Sequence, residues 1–442
     1  MSNDEGLAPH QMGPPIEFKA GGDNSTQCQG NLIMARNSPA FPLVKEMIAD
    51  SMTKNADVIL LDFTAQAVGI RYQIDGIWHN IGQRDRQSGD AMLAVIKKLA
   101  NCEPNERRLK QDGEFKLEYR DTKLSCSLTS QGVQTGERVV LKFGGRKIKL
   151  ETLTDLGMRE KMIERIKEIL DDETGGVFLV ASKPGDGLTT TFCATLRTAD
   201  RFMRDFVGLE PVADPLPDIE NVAMQPFDVE QGETPDKLLP SMLLKQPEAL
   251  VVPDLTNAET IDILCDQAAQ EKIVVASVRA KECVEALLRV LAMKPNAEKY
   301  ASAIKGVLFV KLVRRLCEKC RQPYQPAPQL IQQLGLPPGR VSVLYRQWQP
   351  PPPEQLVDEK GNPIPPPVCP DCGNMGYKGR IGVFELLSVN DQIREVLLKQ
   401  PRIDALRQVA KANKHRTVRD EGIAMVARGL TALSEIQRVL KQ

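Results

Sequence analysis

Val177 to Thr191 reads VFLVASKPGDGLTTT, and the fold follows from how that stretch is parsed. A short, unbroken apolar run ahead of turn residues predicts a strand buried in a sheet. Pro184, Gly185 and Gly187 predict a sharp turn, and a helix is expected to start near Thr189. Strand, glycine turn and helix N-terminus together make a phosphate cradle: glycines let backbone N–H groups turn inward, and the helix dipole adds positive potential. The fingerprint of such a loop is a glycine, four free positions and Gly-Lys-Ser/Thr; here it falls on Ser182, Gly185, Gly187, Leu188 and Thr189. The candidate phosphate-binding set is therefore Ser182, Lys183, Gly185, Asp186, Gly187, Thr189 and Thr190. Thr189 stands where a magnesium-ligating hydroxyl belongs, but Leu188 replaces the lysine that reaches the β- and γ-phosphates. Lys183, on the other side of the loop, is the candidate substitute cation. A glycine turn without a ligand is the plainer alternative.

Around this stretch, 442 residues exceed what one compact core accommodates, so two or three domains are expected. Lys plus Arg and Asp plus Glu balance at 58 each, which argues against a nucleic-acid partner or an anionic membrane surface. No apolar run reaches the roughly 18 residues of a membrane span, and the N-terminus carries no basic-then-apolar export signal, so a cytoplasmic protein is expected. Six of the ten cysteines are scattered singly and four form two C-x-x-C pairs, the pattern of reduced thiols and a metal rather than of disulfides.

Residues 1–42, rich in Gly, Pro, Asn and Gln without hydrophobic periodicity, read as a disordered leader. Residues 43–145 read as a small α+β domain: ADVILLDF, VGIRYQIDGIWHNI, FKLEYR, KLSCSLTS and RVVLKF as strands and DAMLAVIKKLANC as an amphipathic helix. Gly144-Gly145 and RKIKL make a linker. In residues 146–316 strands alternate with helices (Met158–Leu170, VFLVAS, FVGLE, KLLPSMLLK, ALVVPDL, AETIDILCDQAAQ, IVVASV), which predicts a mainly parallel, doubly wound α/β sheet. ALVVPDL ends at Asp254, the layout by which nucleotide-hydrolysing sheets present a carboxylate, although a strand ending at an aspartate is common.

Cys317-x-x-Cys320 and Cys369-x-x-Cys372 are candidate ligands for a structural zinc: four thiolates close the tetrahedron and leave no open position for catalysis. Four free thiols are the alternative. Between the pairs lies an insertion of nearly fifty residues with proline runs at 350–353 and 365–367, expected to be extended rather than packed. Residues 317–388 thus read as a zinc module with a Pro-rich insertion. GYKGRIGVFELL (Gly376–Leu387) reads as a Gly-rich turn, and residues 389–442 as a helical cap with helices near Asp391–Lys399 and from about Asp404 to the end.

From about Asp57 onward these segments resemble the GspE/PilB family of secretion ATPases, which power type II secretion and type IV pilus assembly. GIRYQIDGIWH, NERRLKQDGEF and GERVVLKF are similar to that family's RYRIDG, ERRLPQDGRF and GERVVLR segments, and LVRRLCEKCRQPY, CPDCGNMGYKGRIGVFELL and RTVRDEGIAMVARGLTALSEI to its zinc-module and C-terminal segments. The resemblance implies a RecA-like P-loop NTPase domain, a structural zinc, ATP and magnesium, and hexamers working with inner-membrane platform proteins. It also implies phosphate contacts from arginines of the N-terminal domain, matched here by Arg71, Arg107, Arg108 and Arg138.

The departures fall on chemistry. Where the family has IEDPVE this chain has LEPVAD, keeping Glu210 but placing Pro211 at the aspartate; LRQDPD corresponds to LKQPE; VGEIRD reads VPDLTN, with Asp254 at the catalytic glutamate; STLHTND reads SVRAKEC, with Arg279 at the histidine. Aspartate is one methylene shorter than glutamate, and a misplacement of about 1 Å can cost on the order of a hundredfold in rate. Arginine is neither acid nor base near neutral pH. The expectation is a degenerate member, impaired in hydrolysis, that acts by assembling with homologous subunits and holds ATP and magnesium weakly if at all. The alternative is an active motor using Lys183 and Asp254; a zinc-dependent nucleic-acid binder is disfavoured by the absence of a basic stripe.

Overall fold

The computed structural model describes residues 11–120, 122–144, 150–337, 339, 341–356 and 363–441. The expected linker at Gly144-Gly145 and RKIKL falls almost wholly outside them. The chain forms two compact units, Met1–Ile148 and Lys149–Gln442.

The first unit runs β1 (Glu17–Lys19), α1 (Ser25–Arg36), α2 (Phe41–Thr53), β2 (Ala56–Phe63), β3 (Ala67–Ile74), β4 (Ile77–Asp85), α3 (Arg86–Leu99), β5 (Gln111–Tyr119), β6 (Thr122–Val133) and β7 (Gly136–Gly144). Its strands make one antiparallel sheet in the order β1-β5-β6-β7-β2-β3-β4. The run VGIRYQIDGIWHNI is split into β3 and β4 by a tight turn with Asp75 and Gly76 both at positive φ, +50° and +81°. Inside the unit Lys97 is fully buried and paired with Glu137, whose carboxylate also accepts from Ser130.

The disordered leader expected over residues 1–42 is corrected from Glu17 onward, residues 1–10 lying outside the description. β1 pairs with β5, and α1 starts at Asn24, whose side chain accepts from the Gln27 amide. The helix was hidden because it buries only Asn31 and Ala35. Its anchor is polar: the Asn31 amide donates to Gly21 O and to Asn101 Oδ1.

The second unit begins with α4 (Glu160–Leu170), β8 (Gly176–Ser182), α5 (Leu188–Thr198), β9 (Phe206–Pro211), β10 (Val222–Phe227), α6 (Pro235–Leu243), β11 (Ala249–Val252), α7 (Ala258–Ala268), β12 (Ile273–Arg279), α8 (Cys283–Ala292) and α9 (Ala297–Ala303). It continues with β13 (Ile304–Leu316), β14 (Gln322–Tyr324), α10 (Pro328–Gln333), β15 (Leu344–Arg346), β16 (Tyr377–Ser388), α11 (Asp391–Lys399), α12 (Ile403–Ala412), α13 (Val418–Ala427) and α14 (Leu433–Leu440). The sheet order is β10-β9-β11-β12-β8-β13-β16, parallel except for β16. Every residue of β8 is buried, and its side chains alternate between two cores. Val177, Leu179 and Ala181 join the layer that includes α6–α9, α11 and α12; Phe178 and Val180 join the layer with α4 and α5. That is the doubly wound arrangement read from the alternation of elements.

Two readings are corrected here. GYKGRIGVFELL is a strand rather than a turn: it makes up most of β16 and pairs along β13, and Gly382 is needed because a Cβ there would lie 2.4 Å from the Phe384 ring. The insertion between the cysteine pairs is not extended throughout its described residues. Its first half folds into α10 and the β14–β15 ladder, with Leu344 fully buried against Val426, Ile436 and Val439 of the C-terminal helices.

The C-terminal helix α14 is pinned to the sheet by charge. The Glu435 carboxylate, fully buried, accepts from the Arg314 amide (3.1 Å) and guanidinium (2.7 Å) and from Arg438 (2.6 Å). Burial alone would raise its pKa, but the hydrogen bonds from Arg438 and Arg314 prevail and take it from 4.5 down to about 2. A carboxylate depressed in the folded state stabilises above its unfolded pKa, and that contribution is lost as pH falls through the folded one. Glu435→Gln should therefore cost about 3 kcal/mol at neutral pH, and the gap from wild type should shrink between about pH 4.5 and 2. Urea unfolding at a series of pH values checks this; a gap independent of pH would contradict it.

Candidate functional site

The candidate site lies at the carboxyl edge of the second sheet, where β8, β9, β11 and β12 end side by side. β8 stops at Ser182, whose Oγ donates to Lys183 O (2.9 Å). Gly185 and Gly187 take φ of +80° and +86°, a left-handed turn that side chains with a Cβ adopt only under strain. Gly187 is the N-cap of α5, so no side chain caps the first turn, and no acid sits in that turn. The uncapped N–H groups and the helix dipole face an anion-ready position. Thr189 and Thr190 are exposed there. Leu188 is partly buried and packs on the apolar layer beneath the loop.

The neighbouring strand ends bring together some of the expected residues. Glu210 Oε2 accepts from the Leu216 amide (2.7 Å), so this carboxylate braces its own following loop. Asp254 lies two residues beyond β11 and is exposed at the edge; crowding by surrounding protein raises its pKa, and Arg279 pulls it back. Arg279 is exposed at the tip of β12, in register with Ser182. Lys183 has its pKa lowered by desolvation first and then by the ammonium groups of Lys311 and Lys281, with Asp186 and Glu285 opposing. Three lysines therefore converge on one glycine turn.

One partner was not foreseen. Lys311 of β13 reaches the loop, its Nζ 2.8 Å from Asp186 Oδ2, and the two side chains are only 11% and 14% exposed. The residues are 125 apart in the chain, so no local pattern announces the pair. The signal available in retrospect is a lysine in the middle of the apolar strand IKGVLFVKLVRRL.

In the first unit, Arg107, Arg108 and Arg138 line a single cavity of about 1010 Å³, with Arg86 as an additional cation. Arg71 is absent from its lining but shares Asp62 with Arg138, whose Nε lies 2.7 Å from that carboxylate. Burial works to raise Asp62, but the hydrogen bonds from Arg138 and Arg71 take it below the usual range. Arg107 and Arg86 share Asp90 at 2.8 and 3.0 Å.

The four cysteines of the two pairs meet in space, with every Sγ within 4.8 Å of the others; Cys317 to Cys369 is 3.8 Å and Cys320 to Cys372 is 3.4 Å. Tetrahedral zinc with bonds of about 2.3 Å places its sulfurs about 3.8 Å apart, so the donor set fits that ion. The backbone prepares it as two turns: the Cys320 and Arg321 amides donate to Cys317 O, and the Gly373 amide donates to Cys369 O.

Compared with known proteins, residues 34–438 match the family described as type II/IV secretion system protein. The type IV pilus assembly ATPase PilB of Thermus thermophilus is 26% identical over 402 residues, which cover 90% of this chain and 43% of that protein. Type II secretion system protein E of Pectobacterium carotovorum is 26% identical over 408 residues, covering 92% and 76%. This chain thus spans less than half the length of the pilus protein. Among solved structures, the Legionella pneumophila ATPase DotB superimposes with a TM-score of 0.55 at 12% identity, covering 90% of this chain and 95% of that one. The pilus retraction motor PilT with bound ADP gives 0.50 at 14%, covering 89% and 96%. At such identities the likeness is one of fold.

If the cysteine cluster holds zinc, the purified chain should carry one zinc ion per molecule by elemental analysis. Removing it with a chelator should lower the melting temperature, because metal bound only to the native state adds its binding free energy to folding. Cys369→Ser should melt lower than wild type and respond little to the chelator; an unaltered melting curve in both would count against the site.

Proposed function

The chain belongs to the type II/IV secretion system protein family, and from that membership we propose that it serves a type II secretion or type IV pilus assembly machine as an ATPase-derived subunit impaired in hydrolysis. The observation that carries the reading is Leu188, a hydrocarbon side chain packed against the core where the fingerprint requires an ammonium on the terminal phosphates. Three other stations are altered at the same sheet edge. Pro211 offers no carboxylate, Asp254 is one methylene short, and Arg279 cannot exchange a proton near neutral pH.

What remains is a cradle. Backbone N–H groups at Gly185, Gly187 and the first turn of α5 suit a phosphate, and the Thr189 hydroxyl is the group that would hold magnesium. That ion, when bound, supplies positive charge to bridging phosphate oxygens. Lys183, Ser182, Asp186 and Thr190 complete the loop, and Arg71, Arg107, Arg108 and Arg138 are the first unit's candidate phosphate contacts. The cysteine cluster plays a structural part.

Substitutions concentrated on chemical stations, within segments otherwise similar to the family's, favour a role in assembly: a hexamer with its own copies or with hydrolysing homologues, docked on inner-membrane platform proteins from the cytoplasmic side. Among the described residues no helix is long and apolar enough to cross a membrane. The alternative is a working motor in which Lys183 and Asp254 substitute, favoured by the lysines crowded at the loop.

Zinc-loaded protein should release phosphate from ATP at below about 0.01 per second, against roughly 1 to 1,000 per second for ordinary enzymes, while magnesium-ATP raises its melting temperature. Turnover near about 1 per second that Lys183→Ala abolishes would overturn the impaired-subunit reading in favour of the motor. Absence of stabilisation by magnesium-ATP would overturn the retained cradle.

A further inference from the structure

With Leu188 at its head, α5 offers the cradle no cation of its own in the first turn. The geometry points to one from outside: we propose that Lys311, on β13, is the ammonium that serves a phosphate at this loop, and that Asp186 is its internal counter-ion, which an incoming phosphate displaces. This rests on the reading that the loop still takes nucleotide, and it names the group responsible.

β13 runs parallel to β8, and their register sets Val310 opposite Ser182, so Lys311 stands one residue past the point where the loop begins. From there its Nζ lies 2.8 Å from Asp186 Oδ2, while the Leu312 amide lies 3.5 Å from Oδ1. Asp186 is a loop residue between two left-handed glycines, with its amide donating to Lys183 O (3.2 Å). Its carboxylate thus sits in the loop that leads into the uncapped end of α5, held by a lysine from another strand.

The balance of charge supports the same assignment. Lys183, Lys281, Arg279 and Lys311 gather around the loop, with Asp186, Asp254 and Glu285 as the acids facing them. Glu285 is already engaged with Arg289 (2.8 Å) and the Lys281 amide (2.8 Å). A phosphate dianion carries more charge than a carboxylate and presents more acceptor oxygens, so it competes with Asp186 for the Lys311 ammonium in a site only partly reached by water. Until it does, the ion pair satisfies both groups and fastens the loop to β13. A nearly buried pair broken on one side leaves an uncompensated charge, so Lys311 needs an anion beside it, Asp186 or a phosphate.

The test is magnesium-ATP titrated into the full, zinc-loaded chain by calorimetry, with melting temperatures recorded for each variant. Asp186→Asn removes the competing charge and should tighten ATP binding by about tenfold, the worth of one charge-assisted hydrogen bond. Lys311→Met should weaken binding by at least about tenfold, and Lys311→Arg should restore it. Unchanged or weaker binding in Asp186→Asn would overturn the proposal. So would a Lys311→Met variant that binds as wild type does while Lys183→Met does not. Failure of the underlying reading looks different: neither wild type nor Asp186→Asn would bind ATP at all. Binding that appears only in Asp186→Asn would support the internal counter-ion directly.

Discussion

β8 is hydrogen-bonded to a parallel strand on each edge and covered by a hydrophobic layer on each face, so its backbone and side chains are fully committed within the sheet. A chain leaving such a strand has to turn at its carboxyl end, and the crossover to a parallel neighbour requires a helix on the way. The loop from Lys183 to Gly187 and the N-terminus of α5 follow from that constraint, whatever ligand they serve. Because β9, β11 and β12 run the same way, their ends arrive at the same edge, and any side chain placed just past a strand joins the loop without further arrangement.

The same constraint explains how chemistry can change while the scaffold is kept. Leu188, Pro211, Asp254 and Arg279 all lie at or beyond strand ends, and of the four only Arg279 touches the pairing of β8, at its last rung opposite Ser182. Leu188 gains by its replacement: a partly buried aliphatic chain on the layer of Phe178 and Phe192 contributes favourable burial where a lysine would have to keep its head in water. Stability in this part of the molecule rests instead on the two cores and on charges that tie distant segments together. Arg314 with Glu435 and Lys311 with Asp186 each join elements far apart in the chain, both largely shielded from water. Such pairs are weak evidence of net stability, but they disfavour any arrangement that leaves one partner alone.

That distinction decides what could be read from the sequence. Segments with one dominant local signal were legible: the apolar run of β8 and the two C-x-x-C pairs; VGIRYQIDGIWHNI was legible as strand but not as the two strands that the Asp75-Gly76 turn makes of it. Segments whose partners are remote were not. α1 is held by Asn31 on Gly21 and Asn101, so it has no apolar stripe to detect. β16 carries two glycines, Gly379 and Gly382, in its first half and reads as a turn until β13 is laid beside it. At the site, the loop and the missing lysine were visible. Lys311 was not, because its meaning depends on a strand pairing that closes 125 residues after Asp186.

The cysteine cluster shows why spacing is a poor guide even when the chemistry is clear. Cys317 and Cys369 are 52 residues apart, and a gap of that length looks at first like an argument against a common ion. The entropy of closing a loop grows only with the logarithm of its length, about 0.6 kcal/mol for each doubling. Structural zinc in small domains contributes on the order of 10 kcal/mol. The gap also contains structure of its own, since the β14–β15 ladder joins residues 322–324 to 344–346 and Leu344 packs on the C-terminal helices. Cys317 follows β13 immediately, and Cys372 precedes β16 by a few residues. The antiparallel pairing of those two strands alone places the two cysteine pairs at the same end of the sheet. Proximity is therefore supplied by the sheet, and an ion bound there would clamp a junction that already exists.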